Sequence, residues 1–442
     1  VEKKMNENII TRFSPSPTGS LHLGGLRTAL FSFAFAKKHN GKFFLRIEDT
    51  DRSRYVPNSD EEIKEILTNF NLHWDNPHVL YQSKNLFSYF FAAESLIKTG
   101  HAYKCYCPID CTDECKCSEL KQQVSNNTPF CVKLRMPTTG TIECKDELRG
   151  TIMFECSKLK DIVLIKQDRY PTYHLASIVD DISMGVTHVF RGEEWISSMP
   201  YHVWLYNMLF YRVPKFYHLP LILDPVNNCK LSKRNNNASV KNYLDMGIPK
   251  EAILNYISAL GYSPDCEFFT LDEFVSQFST DRISTHNACF DIDKLKFYSK
   301  TYLNLLSDVQ ILNSFNDYNF NIIKNLCDPL HAISIFRPEV STLSELFDKL
   351  IDTIINPDFD VKFNLNERVL IQNFVKYLES KDIPPTTEEI QLFIKEHNLS
   401  NKDFHPVIRR ALTSSVIGYQ IHDIIRILGI DTSISRLLWF VN

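Results

Sequence analysis

His22, Gly24 and Gly25 sit in SPSPTGSLHLGGLRTALF, between a short apolar run and a helical one. Backbone N–H groups at a helix start lack partners in the helix and favour an anion, so a phosphate suits this turn. The two glycines would let backbone come close to such a guest. A second set is KLSKR, Lys230–Arg234, followed by NNNASV. Lys230, Ser232, Lys233 and Arg234 on one loop can cover a polyphosphate and neutralise charge developing in its transfer. A histidine beside a turn is most often structural, and a short basic match is most often a solvated loop. Their joint occurrence in a strand–helix chain carries weight that neither has alone. A third set is cysteine: Cys105, Cys107, Cys111, Cys115 and Cys117 fall close together in CYCPIDCTDECKC. Cys-x-Cys occurs twice there, a fair zinc signal, though the spacing is not that of a common finger.

These groups need elements to position them. Asn8–Phe13 reads as a strand, Leu26–Ala36 repeats apolar residues at helical spacing, and Phe43–Ile47 reads as a second strand. Ser59–Phe70 and Leu86–Lys98 are amphipathic helices around a short strand at Val79–Gln82. The alternation predicts a Rossmann-like parallel sheet with crossover helices. From about Cys105 to Asp168 the character changes. PFCVKLRMP, TIMFEC and IVLIK are short β-rich runs between turn residues, as in a small inserted module. HVFRGEEW and FYHLPLILDP then complete the interrupted sheet. KNYLDMGIPKEAILNYISALGY reads as helix, glycine stop, then proline near a new helix start. After Lys300 nearly every periodic segment is helical, which predicts a separate all-α domain.

Composition narrows the class less. With 442 residues, two to four domains are expected. No run is apolar enough to span a membrane, and VEKKMNENII lacks the apolar core of a signal peptide. The expectation is therefore a soluble cytoplasmic protein with no membrane partner, its twelve cysteines reduced or metal-bound. Net charge is -4, with -5 in residues 301–442 and +1 in the first 300. Any RNA contact must then use local basic patches rather than an overall field.

RFSPSPTGSLHLGGLRTALF, LRIEDTDRSRY, PTYHLASIVDDISMGVTHVFRGEEW and KLSKR resemble the glutamyl-tRNA synthetases, which are class I aminoacyl-tRNA synthetases. FDIDKLKF (Phe290–Phe297) and RRALTSSVIGYQIHDIIRILG continue the likeness in the family's order, over most of the chain. The resemblance implies an α/β catalytic domain in two halves, 1–104 and 169–238, around an acceptor-end module at 105–168. A helical stem-contact region at 239–300 and an all-helical anticodon-binding domain at 301–442 would follow. It implies activation of L-glutamate by ATP with Mg2+, then transfer to the terminal adenosine of tRNA(Glu), by a monomer. His22, Gly24, Gly25, Ser232, Lys233 and Arg234 would meet ATP, with Lys230 assisting loop closure. Arg12 and Arg191 are the arginines suited to carboxylates, and which of them takes the side chain stays open. Glu48 would meet the α-ammonium, Ser14, Ser16 and Tyr173 would supply neutral hydrogen bonds, and Trp195 would wall the pocket. Glutaminyl-tRNA synthetases lack an arginine at the place of Arg191, so glutamate is the expected amino acid.

Two departures stand out. Ser177 in YHLAS falls where many relatives have Asn, so a shorter hydroxyl replaces a substrate contact or hands it to water. The stretch between Cys107 and Phe130 is short and holds the cysteine cluster. Cys105 and Cys107 match the first zinc pair of metal-bearing relatives, and Cys115 and Cys117 could supply the second, with Cys111 as substitute. Rival readings are the glutamyl-queuosine class of tRNA modifiers, a small-molecule nucleotidylyltransferase, and a non-catalytic tRNA-binding paralogue. The helical third of the chain opposes the first, the Arg12–Glu48–Arg191 set the second, and the intact signatures the third. Phe336–Leu346 resembles a family helix near the anticodon, making Arg337 and Glu339 candidates for base reading. Acceptance of tRNA(Gln) beside tRNA(Glu) is left open.

Overall fold

The run ITRF forms β1 (Ile10–Phe13) and pairs in parallel with β2 (Lys42–Ile47), Arg12 standing opposite Phe44. This is a computed structural model, and it describes residues 8–107, 128–226, 228–231, 239–355 and 361–441. Between the strands runs α1 (Leu23–Lys38), which begins earlier than its periodicity predicts because His22 caps it. Leu26, Ala29, Leu30, Phe31 and Ala34 are wholly buried on it. A helix apolar nearly all round must be covered on more than one side. Here the sheet covers one side, and Tyr262, Phe274 and Phe278 pack around Phe31 on another.

α2 (Ser59–Asn69) leads to β3 (Leu80–Tyr81), which continues the parallel sheet beside β2. After α3 (Leu86–Lys98) come β4 (Ala102–Cys105), β5 (Cys131–Leu134), β6 (Thr141–Asp146), β7 (Gly150–Glu155) and β8 (Val163–Ile165). Then follow α4 (Tyr173–Ser183), β9 (His188–Gly192), α5 (Met199–Met208) and β10 (Lys215–Leu219). β9 and β10 are parallel, and Thr187 N–H donates to Ile10 O at 2.9 Å where β9 begins beside β1. The short pair β11 (Ile222–Leu223) and β12 (Ala288–Cys289) is also parallel.

The segment expected as an inserted module is stitched into its surroundings. β5 is flanked by β4 and β8, both antiparallel to it, so β4 lies just ahead of the expected start. The β6–β7 hairpin joins the sheet of β10 and β9, where Phe216 pairs with Asp146. Pairing between strands seventy residues apart leaves no local trace in sequence.

The chain divides into two compact units. One comprises 1–242 and 254–291; the other comprises 243–253 and 292–442, so the expected 239–300 region is shared between them. The second unit has no strand among its described residues. Its core gathers Ile333, Phe336, Phe374, Phe404, Ile425 and Leu437. Capping boxes at Ser307/Gln310, Asn364/Glu367 and Thr386/Glu389 set where its helices start. Within it Arg337 donates to Leu306 O at 2.7 Å, and Glu339 accepts from Tyr419 Oη at 2.9 Å and pairs with Lys349. Both therefore fasten their own turn.

Candidate active site

The C-terminal ends of β1, β2 and β9 and the start of α1 surround a cleft of about 280 Å³. Open parallel sheets place ligands at that edge. Arg12, Ser14, Ser16 and Glu48 line it from the first half, and Tyr173, Arg191 and Trp195 from the second. His22, Gly24, Gly25 and Lys230 line its other end. Ser177 is not among the lining residues; it is buried one turn along α4 from Tyr173. Ser232, Lys233 and Arg234 lie outside the described residues, as do Cys111, Cys115 and Cys117.

Beneath the cleft is an ion network in which Glu48 and Arg46, neighbours in sequence that could have formed a surface ion pair, are instead joined to Asp180 and Asp181 in the interior. Arg46, in the middle of an apolar strand, is wholly buried. It donates to Asp181 at 2.5 Å and Glu48 at 3.2 Å, and its Nε is 3.8 Å from Asp180. Burial alone would lower the Arg46 pKa, but the three acids outweigh it and hold the guanidinium charged. Arg12 Nε donates to the same Asp181 oxygen at 3.3 Å. Burial would raise Asp181, yet Arg12 and Arg46 win and keep its carboxyl below the usual range. Asp180 accepts from Gln82, Asn85 and Tyr89 at 2.8–2.9 Å, and burial still pushes it up. The signal was present: Arg in FFLRI and the acid pair in IVDDIS interrupt apolar elements, and buried charges need partners.

Glu48 differs from Asp181. Burial pushes its carboxyl above the usual range, against the pull of Arg46 and Arg12. A cation arriving there would meet an acid that the fold leaves under-compensated. The network also yields a stability prediction. Arg46→Met leaves three buried acids short of a partner and should cost about 3–5 kcal/mol, read from urea midpoints. Because Glu48 and Asp180 already sit high and would rise further, the folded variant binds more protons than the unfolded chain. Its stability should therefore recover in part as pH falls from neutrality toward the carboxylate range.

At the other end His22 is the N-cap of α1, and Gly25 N–H donates to its Nδ1 at 3.0 Å. That bond leaves the ring proton on Nε2. The glycines have a packing reason here. A Cβ on Gly24 would stand 3.2 Å from His22 Nδ1, and one on Gly25 would stand 2.9 Å from Leu21 Cδ1. The basic segment is anchored at both flanks. Leu231 N–H donates to Ile222 O at 2.8 Å, and Ser239 bridges to His22 while Val240 N–H donates to Leu21 O at 2.9 Å. Lys230 pairs with Glu194. Arg27, a buried residue of α1, donates to Leu260 O and Pro220 O; burial pulls its pKa down to about 10, against Glu194 and Glu193.

Arg191 enters from β9, and its Nη1 donates to Tyr173 Oη at 3.3 Å. Tyr173 and Trp195 face each other with ring centroids 4.2 Å apart, forming an aromatic wall. Among the described residues, the buried hydroxyls of Ser14 and Ser177 have no hydrogen-bond partner. Cys105 is buried on β4 opposite Cys131 of β5, well along the chain from the cleft residues, and no described group of three or more His, Cys, Asp or Glu could hold a metal ion. Cys131 was not singled out from sequence, because only strand pairing brings it to Cys105.

A parallel sheet with a capped helix start and paired arginines over its edge defines a class. The family model "tRNA synthetases class I (E and Q), catalytic domain" matches residues 8–118 and 110–297, and "Anticodon binding domain" matches 299–439. A glutamate–tRNA ligase of Thermus thermophilus is 33% identical over 466 residues, covering 97% of this chain and 99% of that one. A mitochondrial glutamate–tRNA ligase of Schizosaccharomyces pombe is 35% identical, covering 98% and 92%. Among solved structures, a glutamate tRNA ligase from Elizabethkingia meningosepticum in complex with its amino acid superposes with a TM-score of 0.82. It is 28% identical, with 98% of this chain and 99% of that chain covered. The chain belongs to the glutamate–tRNA ligase family of class I tRNA synthetases.

Proposed function

We propose that this chain activates L-glutamate with ATP and transfers it to the terminal adenosine of tRNA(Glu). The observation that carries this reading is the convergence of Arg12, Arg191 and Glu48 in one cleft with the His22-capped helix start. Two cations and one anion are what a dicarboxylic amino acid demands. In activation a carboxylate oxygen of glutamate attacks the α-phosphorus; the new O–P bond forms as pyrophosphate leaves. That step needs alignment and charge neutralisation more than a protein nucleophile. His22 Nε2–H and the N–H groups of the α1 start would meet phosphate oxygens, and Lys233 would stabilise the departing pyrophosphate. Glu48 would accept from the α-ammonium, and Ser14, Ser16 and Tyr173 would complete its surroundings. Mg2+ would accompany ATP, held mainly by phosphates and water. Glutamate-dependent ATP–pyrophosphate exchange, with and without tRNA, tests this most directly. Exchange with no amino acid dependence in either condition would sink the assignment.

Residues 299–439 would read the anticodon loop, where unstacked bases offer their edges, while 105–168 would hold the acceptor end. The tRNA is tested on transcripts of both kinds. Charging of tRNA(Glu) with glutamate is expected; its failure alongside charging of tRNA(Gln) would reassign the substrate. Protein eluting as a dimer would contradict the monomer we assign, and cytoplasm is the compartment we assign. Zinc belongs to the same reading, with Cys105, Cys107, Cys115 and Cys117 as thiolate ligands and Cys111 in reserve. Protein purified without chelator should then contain about one equivalent of zinc. Elemental analysis finding none would remove it.

A further inference from the structure

The hydrogen bonds of Arg191 differ in kind from those of Arg12. Arg12 is held by a carboxylate, Asp181. Arg191 is held only by neutral acceptors among the described residues. Nε donates to His218 Nε2 at 2.9 Å, Nη1 pairs with His202 Nδ1 at 2.9 Å and reaches Tyr173 Oη, and Nη2 reaches Trp195 O at 3.4 Å. No described carboxylate forms an ion pair with it.

A guanidinium only donates, so each imidazole nitrogen facing it must carry a lone pair. His218 then bears its proton on Nδ1 and donates it to Asp146 Oδ2 at 2.7 Å. His202 bears its proton on Nε2 and donates to His174 Nδ1 at 3.2 Å. His174 must accept there, which leaves its own proton on Nε2. Asp146 is fixed in turn by the backbone N–H groups of Leu148, Arg149 and His218, at 2.8–3.1 Å. Each assignment follows from its neighbour; the His202 and His218 rings are buried and His174 is half-buried.

We propose that His218 and His202 are positioning residues for the amino-acid carboxylate, aiming Arg191 into the cleft through neutral acceptors that leave its charge for the substrate. The proposal rests on the reading that Arg191 meets glutamate. A carboxylate in either place would align the guanidinium equally well but neutralise it before substrate arrives. Two imidazoles fix the orientation and keep the charge. Protonating either ring would set donor against donor beside a like charge, and glutamate binding would fail.

The surroundings oppose that protonation. Burial first, then the charge of Arg191, holds His202 well below the ordinary imidazole value, and the positions of His174, His218 and Arg12 act in the same direction. His218 is lowered by burial, with Arg191 and Arg149 adding and Asp146 opposing. His174 is pulled down to about 4 by burial and Arg191. The Cys144 thiol, the other titratable side chain on β6 close to Arg191, is pushed by burial to about 12 and stays neutral. Arg191 therefore keeps its acceptors throughout the neutral range.

The test exploits reach. An Asn amide oxygen falls near the place of Nδ1 and a Gln oxygen near that of Nε2, while Arg191 faces Nδ1 of His202 but Nε2 of His218. In the full chain with tRNA(Glu) transcript, His202→Asn and His218→Gln should keep the glutamate KM within about 3-fold. His202→Gln and His218→Asn should raise it about 30-fold, with kcat and the ATP KM changed by less than about 3-fold. The wild-type kcat/KM for glutamate should fall on an acid limb below pH 6.5 that the kcat/KM for ATP lacks. Equal KM values across the crossed pairs, or one acid limb shared by both substrates, would overturn the proposal while wild-type glutamate charging stands. Absence of glutamate-dependent exchange in the wild type would overturn the underlying functional reading instead. If the amide variants fail to fold, the two wild-type profiles decide.

Discussion

Lys233→Ala should slow adenylate formation about 10³-fold at saturating glutamate and ATP, with little change in the affinity for either. The ammonium is needed most when negative charge gathers on the departing pyrophosphate. A group used mainly in the transition state lowers kcat when lost rather than raising KM. His22→Ala should act in the same direction by about 10²-fold, because the ring both caps α1 and presents Nε2–H at the anion end of the cleft. The flanks of the lysine segment explain why the two should act together. Ser239 bridges to His22, and Leu231 is fastened to β11 and lines the same cleft as His22, so the described residues on either side of the lysine segment are tied to that end of the site. Single-turnover adenylation by rapid quench reads both variants. Near-normal rates in the pair would mean that these two signatures do not carry the phosphate chemistry.

Arg191→Ala should raise the glutamate KM by about 10²–10³-fold. Removing it takes away a carboxylate partner in a buried site and also strands the lone pairs of His218 and His202. Arg191→Lys restores the charge but cannot face two imidazoles and a carboxylate at once with a single ammonium, so it should recover less than a tenth of the loss. Glutamate and glutamine should then be discriminated less well, since the site's charge no longer favours the acid. Exchange assays over a glutamate titration, with glutamine as competitor, measure this. An unchanged glutamate KM in folded Arg191→Ala would put Arg191 outside the binding site.

Much of this protein was legible because its chemistry is locally written. The strand–turn–helix around His22 combines a β run, a cap-compatible histidine and small residues before a helical repeat, all within thirty residues. The helical character of the last third follows from 3.6-residue periodicity and from capping residues at fixed offsets. Arg12, Glu48, Tyr173, Arg191 and Trp195 were picked out through motifs that resemble a family, and the fold brings them to one cleft. Ser177 was picked out by the same route and lies beside that cleft rather than in it.

What only the tertiary structure decided is who holds whom. The partners of Arg46 come from an adjacent loop and from a helix more than 130 residues away. His218 on β10 is tied to Asp146 on the parallel neighbour β6, and the place of the β6–β7 hairpin in that sheet has no local pattern to reveal it. Gly24 lines the cleft as its place in the turn suggests, but that a Cβ there would also press on the His22 ring is visible only in the fold. The division runs along a physical line. Backbone dihedral preference and hydrophobic period act over a few residues, so strands, helices, caps and motifs are written where they form. Buried charge is compensated by whichever group the folded chain brings within about 4 Å, and that depends on strand order and register. The residue types we propose for the chemistry were therefore readable from the sequence, while the hydrogen bonds and ion pairs that hold them belong to the fold.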